Sequence, residues 1–510
     1  MAKSIMIQGT MSNAGKSLLC AGLCRVFMQD GYKAAPFKSQ NMALNSFITK
    51  DGAEMGRAQA VQAEAAGIDP DVRMNPILLK PTTDVGSQVI VNGRAVGNMN
   101  AMEYYRTKSR FIPDIMKAFH SLASEYDIIV IEGAGSPVEI NLKQEDIVNM
   151  GLAKMLQSPV LLVGDIDRGG VFAQLYGTVA LLEEDEKELL KGVIINKFRG
   201  DKAILEPGLV TMEELCKVPV LGVVPYLHVD IDDEDSLSEK LAGSKKQGLI
   251  DIAVIRLPRI SNFTDLAPFD GYDFVSLRYV DSVSDLKDPD MIIIPGTKST
   301  VSDLIWMRTN GLETAVIHAA DRGKIVFGIC GGYQMLGTTV SDPDHVEAAP
   351  GTPGMNSPDS INGMNLIDMN TLFRGEKVQL QSSGRIGKVS GPLSSLSGME
   401  YMGYEIHMGR SISGSGEKAD GQMEADRDSA RPVVESHDNV YGTYVHGIFD
   451  APGISDEIIK SLCSIKGIEM PETGSFDLAQ YKERQYDILA DAVRESLDME
   501  QIYRILGVSR

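Results

Sequence analysis

Basic residues are in deficit: 49 Lys and Arg stand against 70 Asp and Glu, a formal net charge of −21. A surface of that sign repels phosphate backbones and anionic lipid, which argues against nucleic acid or a membrane as partner. Cysteine is sparse as well. The five thiols, Cys20, Cys24, Cys216, Cys330 and Cys463, are odd in number and scattered, so a disulfide scaffold is excluded. Long apolar runs are missing: stretches such as Ile128-Ile129-Val130-Ile131 fall far below the about 20 residues that span a bilayer. The N-terminus enters a short apolar strand at Ser4 with no basic, apolar leader before it. A soluble, cytoplasmic protein without a signal peptide is expected.

What is present is ordinary globular composition, 43% hydrophobic and 23% charged over 510 residues. That supports roughly two to four domains. Short β-branched runs at Ile5–Gln8, Asp127–Glu132, Val160–Gly164 and Gly192–Asn196 alternate with helical patterns, which reads as buried parallel strands of an α/β sheet. A second alternation follows at Asp251–Ile255, Met291–Pro295 and Ile325–Ile329. Between them lies an acidic run and then Gly243-Ser244-Lys245-Lys246, a solvated boundary. The expected division is 1–230, a linker at 231–249, and 250–510. Stretches 341–360 and 411–430 read as surface loops. A C-terminal helical tail is expected to pack on the second domain.

Gly9-Thr10-Met11-Ser12-Asn13-Ala14-Gly15-Lys16-Ser17 follows the first strand and opens a helix. Backbone N–H groups of such a loop cradle phosphates, Lys16 reaches the terminal ones, and Ser17 can hold magnesium. The set Gly9, Thr10, Asn13, Ala14, Gly15, Lys16 and Ser17 is therefore the expected nucleotide site for ATP. The spacing departs from the usual phosphate loop, with five residues between the glycines and Thr10 where a glycine is usual. A plain strand-to-helix turn is the alternative. Glu132 ends a buried strand ahead of Gly133 and suits a magnesium-side acid. Glu54, read as lying on a helical stretch, is a third metal-side candidate or else part of a solvated face. Asn196 ends another strand and is a candidate reader of the nucleotide base.

Gly328-Ile329-Cys330-Gly331-Gly332-Tyr333 puts a cysteine at a sharp strand-to-helix turn. That elbow exposes the thiol, the helix N-terminus favours its thiolate, and the Gly331 N–H faces a developing oxyanion. The Gly296 to Thr297 turn offers a second oxyanion N–H. A thiolate nucleophile needs a base, and His446 in Gly442-Thr443-Tyr444-Val445-His446 supplies one, with His407 as the rival.

With these residues assembled, the chain resembles the cobyric acid synthase family, glutamine-dependent amidotransferases of cobalamin biosynthesis. The phosphate loop is similar to that of dethiobiotin synthetase-like ATPases, and Cys330 with His446 matches the class I-type glutamine amidotransferase elbow and base. More specific are Pro36–Ser46, Asp165–Gly170, Asn196–Asp201 and Leu257–Asp265. The resemblance covers nearly the whole chain. It implies an α/β fold, with an N-terminal P-loop parallel sheet and a C-terminal glutamine amidotransferase domain. It also implies ATP and Mg2+ as cofactors, and L-glutamine and the corrinoid adenosylcobyrinic acid a,c-diamide as substrates, amidated at carboxylates b, d, e and g through acyl phosphates. A homo-oligomer stays open. The Lys38 to Ser46 block is expected on the substrate or phosphate surface, or else to form a structural turn. One departure matters: typical glutaminase histidines are followed by Pro-Glu, whereas His446 is followed by Gly447-Ile448-Phe449. No third triad member is legible. The rival readings are an a,c-diamide synthase, an amidotransferase for another acid, and a partitioning ATPase. The last would need a lysine early in the loop, where Met11 stands.

Overall fold

The computed structural model describes residues 2–82, 86–231, 248–347, 359–413, 432–471 and 477–509. Most of the expected linker and most of both expected surface loops lie outside that set. The apolar runs of the first half become a six-stranded parallel sheet in the order Val220–Pro225, Leu190–Phe198, Val160–Asp165, Lys3–Gly9, Ile128–Glu132 and Ala34–Phe37. Continuous burial of Ile128 to Glu132 reflects helices on both faces. Two strands of this sheet, Ala34–Phe37 and Val220–Pro225, are short or broken by glycine and were not anticipated.

A four-stranded excursion, Gln40–Met42, Ile77–Pro81, Gly86–Val91 and Arg94–Asn100, branches from the first unit beside the C-terminal ends of the parallel strands. The second unit carries its own sheet, Val275–Val280, Ile250–Ile255, Met291–Ile294, Ile325–Ile329 and Val440–Thr443 in parallel, edged by the antiparallel Glu435–His437. A long antiparallel pair, Met369–Arg385 with Glu400–Ser413, leans from this unit toward the first.

The tail corrects the expectation. The helix Leu478–Ser496 packs on the first unit, not the second. Tyr486, Leu489, Ala490 and Val493 recur at helical spacing and bury against the helix Lys16–Gln29. Gly22 makes the approach close: a Cβ there would stand 2.7 Å from Val493 Cγ2. Arg25 pairs with Glu483 and Asp487 at 2.8 Å each, and Asp498 N donates to Leu221 O at 2.7 Å. No helix among the described residues is long and apolar enough to cross a membrane.

Candidate functional site

The glutaminase half is built at the end of the strand Ile325–Ile329. Cys330 sits at φ 51°, ψ −107°, a strained elbow between that strand and the helix Gly331–Met335. The flanking glycines are required by space: a Cβ on Gly332 would strike the Ile294 carbonyl, and one on Gly331 would stand 2.7 Å from Thr297 Cγ2. Gly331 and the Gly296 to Thr297 turn, the two expected oxyanion donors, thus pack against each other next to Cys330 in the chain.

His446 lies close enough to Cys330 for the sulfur to favour its imidazolium, while the Cys330 thiol donates to Ile406 O at 3.6 Å. The residue that orients the imidazole is Asp265, whose Oδ2 lies 2.6 Å from His446 Nδ1, while its Oδ1 accepts from Gly447 N at 2.9 Å. Burial works against the imidazolium, but the Asp265 carboxylate and the Cys330 sulfur outweigh it and push His446 up to about 10. A cation so held gives the sulfur a charge to ionise against. His407 is engaged elsewhere, with Nδ1 2.7 Å from Gly409 O and its ring stacked on Tyr444. Asp265 was missed because it lies 181 positions from His446. The signal was its place at the end of the Leu257–Asp265 block.

The nucleotide half lies at the end of the strand Lys3–Gly9. Gly15 takes φ 96°, and a side chain there would collide with the Asn196 amide. Lys16 Nζ, held back over the loop, donates to Met11 O at 3.0 Å and Gly135 O at 3.2 Å. Thr10 Oγ1 donates to Gln174 at 3.2 Å, and Lys197 Nζ donates to Asn13 O at 2.7 Å. Asn196, the candidate reader of the base, is buried and donates to Ala14 O at 2.9 Å, so it also braces the loop from behind. Strand direction explains this, since Asn196 lies inside the sheet beneath Gly15.

Glu132 gathers four donors: Ser17 Oγ at 2.8 Å, Lys38 Nζ at 2.9 Å, Gln62 at 2.6 Å and Gln59 at 3.2 Å. Burial alone would raise its carboxyl, but Lys38 and these hydrogen bonds hold it below its usual range. Gln59 and Gln62 were not in the expected set, while Lys38 opens the block expected on the substrate or phosphate surface. Ser17 and Glu132 supply hard oxygens, and Gln62 Oε1 is buried with no hydrogen-bond partner. That donor set fits Mg2+.

Glu54 is a second correction. It ends up on the short strand Glu54–Gly56, fully buried, with Lys80 at 2.9 Å, Lys377 on its other oxygen and Gln379 at 2.9 Å. Two ammonium groups hold it as an ion bridge between the units, so it is neither on a helix nor part of a solvated face. The Lys38 to Ser46 block divides likewise. Lys38 serves Glu132, whereas Asn45 and Ser46 dock the second unit, with Asn262 N donating to Asn45 Oδ1 at 2.7 Å and Ser46 N to Asn262 Oδ1 at 3.0 Å.

Family models cover both units. Residues 5–238 match the CobQ/CobB/MinD/ParA nucleotide binding domain, and residues 251–454 match the CobB/CobQ-like glutamine amidotransferase domain. Over its full length the chain is 59% identical to the cobyric acid synthase of Lachnoclostridium phytofermentans, across 99% of each chain. The chain belongs to the cobyric acid synthase family. Similar family members are those of Ruminiclostridium cellulolyticum, at 58% identity over 99% of this chain and 97% of that one, and Alkaliphilus metalliredigens, at 49% over 98% and 99%. The fold is thus a P-loop nucleotide-binding domain followed by a glutamine amidotransferase domain, and the chain is a glutamine-dependent amide-forming ligase of cobalamin biosynthesis.

Proposed function

We propose that the chain uses ATP and L-glutamine to amidate the b, d, e and g carboxylates of adenosylcobyrinic acid a,c-diamide in the cytoplasm, giving adenosylcobyric acid. The observation that carries this reading is a Cys330–His446–Asp265 triad docked through Asn262 directly onto the Asn45 to Ser46 segment of the phosphate-loop unit. The Cys330 sulfur attacks the glutamine side-chain carbonyl, and the oxyanion is met by the N–H groups of Gly331 and the Gly296 to Thr297 turn. His446 gives its proton to the departing ammonia, and water then frees glutamate from the thioester.

In the other unit, Lys16 stabilises charge on the transferring γ-phosphoryl, which passes to a substrate carboxylate and makes it an acyl phosphate. Magnesium, when held by Ser17 and Glu132, offsets phosphate charge. Ammonia attacks the acyl carbon and phosphate leaves. The Asp265 loop at the domain contact supports a short, shielded path between the two sites, since ammonia lost to water becomes ammonium.

The test is product mass after incubation with adenosylcobyrinic acid a,c-diamide, Mg-ATP and glutamine. Gain of four amides is expected. Cys330→Ser should lose glutamine-driven amidation by about 1,000-fold or more while keeping the ammonium-driven reaction. Equal loss with both nitrogen donors would make Cys330 structural, and no amide with intact ATP would send the search to another carboxylic acid.

A further inference from the structure

The turn after the strand Ile128–Glu132 passes over the phosphate loop, where Gly135 O accepts from Lys16 Nζ. Asn149 fixes this turn, accepting from Ala134 N at 3.1 Å and donating to Ala134 O at 2.5 Å and Ser136 O at 3.2 Å. Beside it opens a cavity of about 570 Å³, within the size range of small-molecule sites. Ala134 and Ser136 line its inner end, and Met42, Leu79, Met99, Tyr104 and Leu142 form apolar walls. Met42 and Leu142 carry apolar surface at the rim, 59% and 45% exposed, beside the exposed Glu139. Exposed apolar side chains of this kind mark a binding surface.

The charged groups are unequal. Lys143 is tied to Glu186 at 2.8 Å and Glu183 at 3.2 Å, and Asp146 spends its carboxylate on the N–H groups of Val148, Asn149 and Gly151. Glu139 is exposed at the edge. Lys108 differs. Its ammonium lies 4.7 Å over the Tyr105 ring and feels the Asp146 and Glu145 carboxylates, but it makes no direct ion pair among the described residues.

We propose that this cavity is the acceptor site: it seats a broad apolar face of a polycarboxylate substrate on Met42, Met99 and Tyr104, pairs one peripheral carboxylate with Lys108, and directs another past Ala134 and Ser136 toward Lys16. The placement satisfies the requirement that the reacting carboxylate reach the terminal phosphoryl, because Gly135 joins the cavity floor to the loop. It rests on the amidation reading given above, and it adds the residues that choose the substrate.

The test uses the full chain with Lys108→Gln and Met42→Glu, both at positions open enough to solvent to spare the core. Equilibrium dialysis, read by the corrinoid's own colour, gives Kd for adenosylcobyrinic acid a,c-diamide, and steady-state rates give KM for it and for ATP. Both variants should weaken corrinoid binding about tenfold or more, with the KM for ATP moved less than about twofold and glutamine hydrolysis unchanged. Unchanged corrinoid Kd in both variants, with the wild type binding it, overturns the cavity and leaves the amidation reading standing. A rise in the KM for ATP in place of the corrinoid Kd gives the cavity to the nucleotide and overturns the proposal. Wild-type protein that neither binds nor amidates the corrinoid overturns the amidation reading and this site with it.

Discussion

Asp265 decides how His446 works. Its carboxylate fixes the tautomer at Nδ1 and holds the proton on the ring, so Asp265→Asn should cut glutamine hydrolysis about 100-fold or more and leave ammonium-driven amidation intact. The pH sign follows from the raised His446. A pair that lifts a histidine from 6.5 to about 10 contributes stability that is fully present below 6.5 and lost as pH rises through about 10. The difference in unfolding free energy between wild type and Asp265→Asn should therefore shrink across that window, measured by urea melts at stepped pH. A constant difference would mean that the pair does not carry the proton. In the sequence, Cys330 and His446 stand out as candidates because glycines and a β-rich run frame them. Asp265 does not, since a carboxylate in a loop has many roles and only the contact with His446 selects one.

At the scale of elements, the loop between the strand Lys3–Gly9 and the helix Lys16–Gln29 is shaped by backbone conformation. Gly15→Ala places a side chain at φ 96° and against Asn196, and should abolish measurable nucleotide binding while costing about 1–2 kcal/mol of stability. Titration calorimetry with ATP and a thermal melt check both parts. Most of the parallel strands were legible from their continuous β-branched runs, but Ala34–Phe37, Val220–Pro225 and Val275–Val280 were not. The excursion Gln40–Asn100 and the long pair Met369–Ser413 were not, because their residues mix polar and apolar side chains according to which unit each face meets. Glu54 shows the same effect: read as part of a helix, it lies on a three-residue strand that pairs with Ser46–Ile48 and turns its carboxylate toward Lys377 of the other unit.

Across the whole molecule, two long-range joints act beside the Asn262 dock. The first is the tail, and Leu489→Ala, at a site with no exposure, should cost about 2–5 kcal/mol and lower the melting of the phosphate-loop unit. The second is the ion bridge of Glu54 with Lys80 and Lys377. Glu54→Gln leaves two buried ammonium groups without their anion, so the joint should loosen and glutamate should be released in excess of amide formed. The ratio of the two products measures it, and a ratio still at one would show the bridge to be only a structural clamp. By itself the sequence determined both chemistries, the order of the two units and their strand cores, because phosphate loops, thiol elbows and buried strands depend on neighbours within a few residues. Only the tertiary structure decided which acid orients His446, which side chains gather on Glu132, where the tail packs and that Glu54 joins the units. Those depend on contacts between positions tens to hundreds of residues apart, and residue type alone does not choose among the carboxylates and lysines available to make them.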